Sequence, residues 1–338
     1  MAENTITGLV PEIYEALDIV SRELTGMIPS ATMNASANTV QVGQAIRVDV
    51  EPAGNVSNIT PAMVVPDPTG QTSGFTDIII TKSRAAEFGF NGEDQKGLNT
   101  GAGYGTVRAN KIAQAIRALT NEVETDLCGL QSTFSRAHGT AGTAPFGTAN
   151  DYTDASNVLK ILKDNGSPLQ DNQLVINTTA GVNLLGKQAA VADAGSDSIL
   201  RQGVLLDING MPIRESAQIV DQAAGGIAGA ATTNAAGYAV GATVLTLAAG
   251  GTGNAAAGEV YTFAGDTNKY VVESATFAGA NPAAGDTITL AAPGLRVAMS
   301  AATKAITKIA ASARNMAFNR SAIVLAARAP ARPSEGDM

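Results

Sequence analysis

Residues 106–128 read TVRANKIAQAIRALTNEVETDLC, and this stretch sets the expectations for the rest of the chain. Its apolar residues recur at three- and four-residue spacing, which is the period of one face of an α-helix. Thr106 can cap the start of this helix, and Gly129 can end it. The sequence therefore predicts a helix of roughly 33 Å at 1.5 Å per residue. Its apolar face consists of Ile112, Ile116, Leu119, Val123 and Leu127.

The charges of this predicted helix oppose its dipole. Basic residues lie in the early turns and acidic residues in the late ones, and each such charge costs on the order of 0.5 kcal/mol at an exposed site. One interpretation is that these charges meet partners on other subunits. A solvated face that tolerates them fits the pattern equally well. The residues concerned are Arg108, Lys111, Arg117, Glu122, Glu124 and Asp126.

Upstream of the helix, two predicted strands flank a long connector. Residues 39–50 alternate between apolar and polar side chains, and residues 75–90 contain a second strand. The connector between them is rich in Pro and Gly, and a connection this long is usually functional or mobile. We therefore predict an extended β-arm with its tip at about 51–74, preceded by an N-terminal helix over residues 11–25. The turn signature at the tip is Asp67, Pro68, Thr69 and Gly70.

Downstream, the chain changes character twice. Residues 155–216 carry mixed helix and strand signals, whereas residues 222–300 show short β runs separated by Gly-rich turns. No Lys or Arg occurs between Arg214 and Lys269. This composition favours a small all-β module inserted in the chain, and a low-complexity linker is the alternative. The other predicted elements are helices over 157–164 and 179–187, strand 174–176, a strand–glycine turn–strand unit over 203–216, and strands 305–310 and 321–327 that return to the main body.

The composition excludes several classes of protein. The net charge of −8 argues against a nucleic-acid binder, which concentrates Lys and Arg on one face. The single cysteine, Cys128, leaves no internal disulfide. No apolar run approaches the length of a membrane span, and the first residues do not resemble a signal peptide. Only 15% of residues are charged, which suits either a surface covered by neighbours or a loop-rich secreted β protein.

The sequence offers little catalytic chemistry. His138 is the only histidine, and no Cys or His lies near it that could complete a metal site. A Ser-His-Asp triad would need it, but nothing selects a partner serine. Residues 101–105 (GAGYG) precede the predicted helix but lack both the GxGxxG pattern and a Walker lysine. A hinge before the helix is the preferred interpretation of that segment.

Taken in order, five segments resemble the major capsid proteins of tailed bacteriophages with the Hong Kong 97-like fold. The similarity is greatest to the branch with an inserted β domain, that of the Salmonella podophage coat proteins. The family often has His where this chain has Asn319. The segments are 42–46 (VGQAI), 111–130 (KIAQAIRALTNEVETDLCGL), 203–216, 258–265 (GEVYTFAG) and 315–322 (NMAFNRSA).

The resemblance implies an α+β fold with peripheral and axial domains. It further implies that the 106–128 helix is the spine helix of the family and that the β-arm is its E-loop. The implied division is an N-terminal arm with a helix over 1–38, the E-loop over 39–90, the peripheral domain over 91–154, the axial domain over 155–221, the inserted β domain over 222–300 and terminal strands over 301–338.

The resemblance also implies partners. The chain would assemble with itself into pentamers and hexamers of an icosahedral shell, enclosing double-stranded DNA without sequence-specific binding. A portal protein and a decoration protein are further expected partners, and the short stretch before the first strand implies a scaffolding protein in trans. No enzymatic activity, cofactor or membrane contact is expected, and the location is the virion after assembly in the bacterial cytoplasm. The expected inter-subunit contacts are Asp67, Pro68, Thr69, Gly70, Arg108, Lys111, Arg117, Glu122, Glu124 and Asp126.

Two other classes of function remain open at this stage. An encapsulin-like shell shares the fold but usually lacks such an inserted β module. A phage tail or fibre β protein would more often show sequence repeats and lack the long helix. An enzyme is a distant third.

Overall fold

The computed structural model describes residues 25–34, 36, 40–50, 73–87, 89–98, 104–148, 151–187, 205 and 207–328. The chain divides into two compact units. Unit 1 comprises Met1–Ala31 and Ala86–Ala322, and unit 2 comprises Thr32–Ala85 and Ile323–Met338. No helix among the described residues has the length and apolar character needed to cross a membrane.

The predicted helices are confirmed where the chain is described. The long helix begins two residues before the predicted start and ends at Gly129. The helix predicted over 157–164 begins four residues earlier, at Thr153, whose amide donates a hydrogen bond to the Asp151 carboxylate just before the helix. The N-terminal helix predicted over 11–25 lies outside the described residues, apart from Thr25. The helices are α1 Gly92–Leu98, α2 Tyr104–Gly129, α3 Thr153–Asp164 and α4 Thr178–Lys187.

The strands are short, and most of them lie in the second half of the chain. They are β1 Thr32–Met33, β2 Ala45–Val50, β3 Gly74–Ile79, β4 Arg136–Ala137, β5 Asn172–Ile176, β6 Ile213–Glu215, β7 Asp221–Gln222, β8 Val244–Thr246, β9 Val260–Phe263, β10 Lys269–Thr276, β11 Thr287–Leu290, β12 Ile306–Lys308, β13 Ser312–Ala313, β14 Met316–Asn319 and β15 Val324–Leu325.

The body of unit 1 is built around β5, whose residues are all buried. β5 pairs antiparallel with β14 and parallel with β6. The glycine turn predicted before β6 is present: Asn209 and Gly210 both have positive φ, and Ile208 bridges Met211 across the turn. The core around this sheet consists of Phe146, Ala155, Leu174, Ile176, Ala180, Leu184, Met211 and Ile213.

A β-barrel follows in the same unit. Its strands run in the order β12-β9-β10-β11-β8, and β4 also pairs with β10. The segment 231–234 closes the ring, because Thr232 bridges Ala305 beside β12 and Thr233 bridges Leu247 beside β8. The barrel encloses a core of its own. That core consists of Ile227, Ala231, Leu245, Leu247, Ala255, Tyr261, Phe263, Tyr270, Val272, Ile288, Leu290, Leu295, Met299 and Ile306.

The limits of the barrel differ from the predicted module over 222–300. β12 was expected in the main body, but it pairs with β9 and buries Ile306 in the barrel core. β7 pairs antiparallel with β13, so the strand that leads into the barrel lies beside the strand that leads out. The sequence of residues 305–310 predicts a strand, but its partner depends on pairing across the fold, so the expected place in the main body is wrong. The barrel therefore extends over residues 223–311.

Unit 2 contains the predicted pair of arm strands. β2 and β3 form an antiparallel hairpin in register from Ala45↔Ile79 to Val50↔Gly74. β1 pairs in parallel with β15, which joins the segments before the hairpin and after the body. The connector 51–72, with the predicted tip residues Asp67, Pro68, Thr69 and Gly70, lies outside the described residues.

Candidate inter-subunit interface

One face of the β2–β3 hairpin carries large apolar side chains that stay exposed. Residues directly opposite each other share a face, so Arg47 and Asp77 lie on the same side as Phe75 and Ile79. Phe75 is 54% exposed and Ile79 is 52% exposed. Exposed apolar groups of this size, set beside charged groups, are typical of a surface that meets another protein.

A charged pair, Arg47 and Asp77, lies at the centre of this face. The Arg47 guanidinium lies 3.5 Å from the centroid of the Phe75 ring, and its Nε is 3.2 Å from Asp77 Oδ1. A guanidinium that pairs with a carboxylate and stacks on an aromatic ring is fixed in position, and its second planar face can still contact another protein. Arg and aromatic residues contribute most to the binding energy of protein interfaces. We refer to Arg47, Phe75, Asp77 and Ile79 as the hairpin outer face.

The edges of the hairpin are also available. Among the described residues β2 pairs with β3 alone, and β3 with β2 alone. A two-stranded hairpin is at best marginally stable in water. The opposite face buries Ile46 but leaves Val50 about half exposed. The described part of the chain thus buries less apolar surface of the hairpin than a two-stranded element needs.

The charged residues predicted on α2 differ in their exposure to solvent. Lys111 is exposed, Asp126 is exposed, and Glu122 is half-buried. Arg117 is half-buried and donates to Gln114 Oε1 one turn earlier. The side chain of Arg108 lies outside the described part of the chain. As contacts between subunits, these five residues therefore stay predictions.

Glu124 has a different role. It is fully buried, and its carboxylate accepts hydrogen bonds from the amides of Gly26 and Met27 at 2.7 and 2.8 Å and of Ile28 at 3.0 Å. These partners belong to its own chain, so Glu124 has no exposed surface to offer to a neighbour. Its assignment as an inter-subunit contact is corrected to that of an internal anchor for the segment that precedes β1. A carboxylate satisfied by several amides is a stable buried arrangement.

The apolar face predicted for α2 is only partly buried. Leu127 is buried, Val123 and Leu119 are half-buried, and Ile116 is 59% exposed. The burial therefore decreases from the C-terminal end of the helix toward its middle. Among the described residues of α2, Ile116 thus marks a second exposed apolar position.

In the described part of the chain, no catalytic arrangement surrounds His138 or Cys128. His138 Nε2 lies 4.0 Å from Asp154 Oδ1, and that carboxyl group is engaged by the Phe146 amide at 2.8 Å. Cys128 is buried beside Ser216, and burial raises the pKa of its thiol, which disfavours the reactive thiolate. Within the described residues no cluster of three or more His, Cys, Asp or Glu could hold a metal ion.

Sequence reasoning missed the hairpin outer face. Its signal was present, because Phe75, Asp77 and Ile79 alternate with period two along β3. The pairing of Arg47 with Asp77 had no such signal, since it depends on the register of two strands separated by a long connector.

Comparisons with known proteins give structural similarities at low sequence identity. No family model matches the chain, and no curated protein matches it. A chain from Mycobacterium phage Che8 is 15% identical, with 89% of this chain and 93% of that chain covered and a TM-score of 0.45. A chain of the capsid structure of the cyanophage P-SCSP1u is 15% identical, with 87% and 88% covered and a TM-score of 0.41.

A third similar structure is the asymmetric unit of the mature capsid of bacteriophage PhiM1. Its chain is 14% identical to this one, with 91% of this chain and 90% of that chain covered and a TM-score of 0.41. At these identities and TM-scores, the function of this chain has to be argued from its own residues.

Proposed function

We propose that this chain is the major capsid protein of a tailed bacteriophage, which self-assembles into an icosahedral shell around double-stranded DNA. The observation that carries the proposal is the β2–β3 hairpin, with its open edges and exposed outer face. A subunit with such an arm has to gain its remaining apolar burial from other copies. The sequence resemblance to capsid proteins, from the arm through the long helix to the terminal segment, supports the same function.

The distribution of charge supports a shell rather than a nucleic-acid reader. The net charge of −8 disfavours tight binding to phosphates, and a container gains from not gripping its contents. The 26-residue helix α2 disfavours a tail or fibre β protein. The ion pair on the hairpin would help to set the register of docking, since charged groups contribute more to specificity than to affinity.

The experiment that tests the function removes the outer face without touching the cores. The double variant Phe75→Ser/Ile79→Ser should stay folded as a subunit, because both side chains are about half exposed. Produced together with the other phage proteins, among them the expected scaffolding protein, it should fail to form shells in electron micrographs and should sediment as small species. The matched control is Thr76→Ser on the opposite face of the same strand, which should assemble like the parent chain.

A second test addresses the connector. Deletion of residues 55–70 should leave a folded subunit that does not form shells. Shells of normal size and stability from either the double variant or the deletion would contradict the proposed role of the arm. Closed shells that contain double-stranded DNA when produced during infection would separate a phage capsid from an encapsulin-like shell.

A further inference from the structure

The barrel is joined to the end of the long helix by more than its two connecting strands. After α2 ends, a short 3-10 helix over Leu130–Thr133 leads directly into β4. β4 then pairs antiparallel with β10, placing Arg136 opposite Tyr270 and Ala137 opposite Lys269. The Val271 amide also donates to the Ser135 carbonyl at 3.2 Å. The segment that follows α2 is thus a strand of the barrel sheet.

Arg136 links this strand to a second helix. Its side chain is almost fully buried, and its guanidinium donates to Asn268 Oδ1 at 3.3 Å on the barrel side. On the other side it donates to the Ile161 carbonyl at 3.3 Å and Asn165 Oδ1 at 3.0 Å, and it lies 3.5 Å from Asp164 Oδ2. A cation at the C-terminal end of a helix is favoured by the helix dipole. One buried charge therefore holds the barrel against the end of α3.

Arg296 gives the same helix end a further contact from the barrel. Its NH2 atom lies 3.8 Å from Asp164 Oδ1, and both side chains are about one-third exposed. Asp164 therefore faces two guanidinium groups, Arg136 from β4 and Arg296 from the loop before β12. The exposed pair is the weaker contact, because solvent screens it.

Gln131, in the 3-10 helix after α2, links the two connecting strands β7 and β13 to the end of α2. It is buried, and its side-chain Nε2 donates to the Val220 carbonyl at 3.0 Å just before β7. Its Oε1 accepts a hydrogen bond from the Arg314 amide at 3.3 Å, just after β13. A Cβ on Gly258 of the barrel would lie 2.5 Å from Ser132 Cβ, so the barrel wall touches the 3-10 helix directly.

We propose that the Arg136 side chain holds the barrel in a fixed orientation on the C-terminal ends of α2 and α3. The barrel then moves together with these helices as one rigid body, and it does not rotate freely about the connecting strands β7 and β13. This inference goes beyond the capsid function and holds for the isolated subunit. It is tested without assembly, so its failure would leave the proposed function untouched.

The test measures the freedom of the barrel in the full-length subunit. Spin labels at Lys160→Cys on α3 and Ala284→Cys on the barrel, in a Cys128→Ala background, report the distance between the two by electron paramagnetic resonance. The parent chain should give one narrow distribution, and Arg136→Gln should broaden it at least twofold. Amide exchange over residues 135–137 and 161–166 should rise at least tenfold in Arg136→Gln, while β9 and β11 stay protected.

Two further variants keep the proposal falsifiable. Asp164→Asn changes a residue outside the barrel and serves as the test if Arg136→Gln does not fold. It should broaden the same distance distribution to a smaller extent. Lys308→Gln removes an exposed positive charge from the barrel strand β12 and should change nothing. A narrow distribution in both Arg136→Gln and Asp164→Asn would overturn the proposal, and so would a broad distribution in the parent chain.

Discussion

The barrel and the β2–β3 hairpin are both built from short antiparallel strands, but they differ in how far their phenylalanine rings are exposed. Phe263 in the barrel is 2% exposed, whereas Phe75 in the hairpin is 54% exposed. The barrel closes its sheet through residues 231–234 and so surrounds a core on all sides. The hairpin has two strands and cannot surround anything. Closure, rather than strand content, decides which β element is complete within one chain.

The largest difference is expected when each element is isolated. The fragment 223–311 contains every residue of the barrel core and should melt cooperatively in circular dichroism. The fragment 40–87 should show no cooperative transition, because a lone hairpin buries too little apolar surface. A barrel fragment that is unfolded alone would show that β4 and the α2 end are part of its folding unit.

Matched truncations give the next largest difference. Phe263→Ala should lower the free energy of unfolding by about 3–5 kcal/mol, since it opens a cavity in a closed core. Phe75→Ala should lower it by less than about 1 kcal/mol, because the ring is already half in water. Urea unfolding of the unassembled full-length subunit measures both. Equal losses would mean that the hairpin is packed as tightly as the barrel.

A rise to alkaline pH should lower the stability of the barrel through its buried tyrosine, an effect smaller than that of the Phe263→Ala truncation. Burial, with a hydrogen bond of its hydroxyl group to Asp266, raises the pKa of Tyr270 to about 12 from an ordinary value of 10. The neutral phenol is favoured in the folded state, so its stabilisation is complete below about pH 10 and is lost as the pH rises toward 12. The loss should reach about 2 kcal/mol by pH 12.

The control for the alkaline loss is Tyr270→Phe, which cannot ionise at this position. Urea unfolding at pH 9 and at about pH 11.5 should show a smaller loss in Tyr270→Phe than in the parent chain. An identical loss in both chains would assign the effect to other groups. The described hairpin residues 40–50 and 73–87 contain no tyrosine and contribute nothing of this kind.

The smallest effect is expected on the hairpin itself. Arg47→Ala removes the ion pair with Asp77 and the contact with Phe75, but the Arg47 side chain is 59% exposed. Its loss should change the stability of the unassembled subunit by less than about 1 kcal/mol, and by less still at high salt. The same urea titration at low and high ionic strength measures this. A loss of several kcal/mol would show that the pair is desolvated within one chain.

The sequence by itself determined the elements that depend on local pattern. The period of residues 106–128 predicts α2, the alternation in 39–50 and the strand signal in 75–90 predict the arm strands, and the short β runs of 222–300 predict β8 to β11 of the barrel. These signals need only neighbours along the chain, because helix and strand periodicity are properties of consecutive side chains. The turn at Asn209 and Gly210 was predicted from its glycine for the same reason.

The tertiary structure decided which elements meet. Residues 305–310 were expected to form a strand of the main body, and the pairing of β12 with β9 shows that this strand belongs to the barrel. The helical pattern around Glu124 predicts one more surface charge, but its carboxylate accepts hydrogen bonds from the amides of residues 26–28, which lie far from it in sequence. Arg136 carried no signal, because its partners lie 25 to 132 residues away along the chain. Long-range pairing depends on chain closure and burial, which no local pattern records.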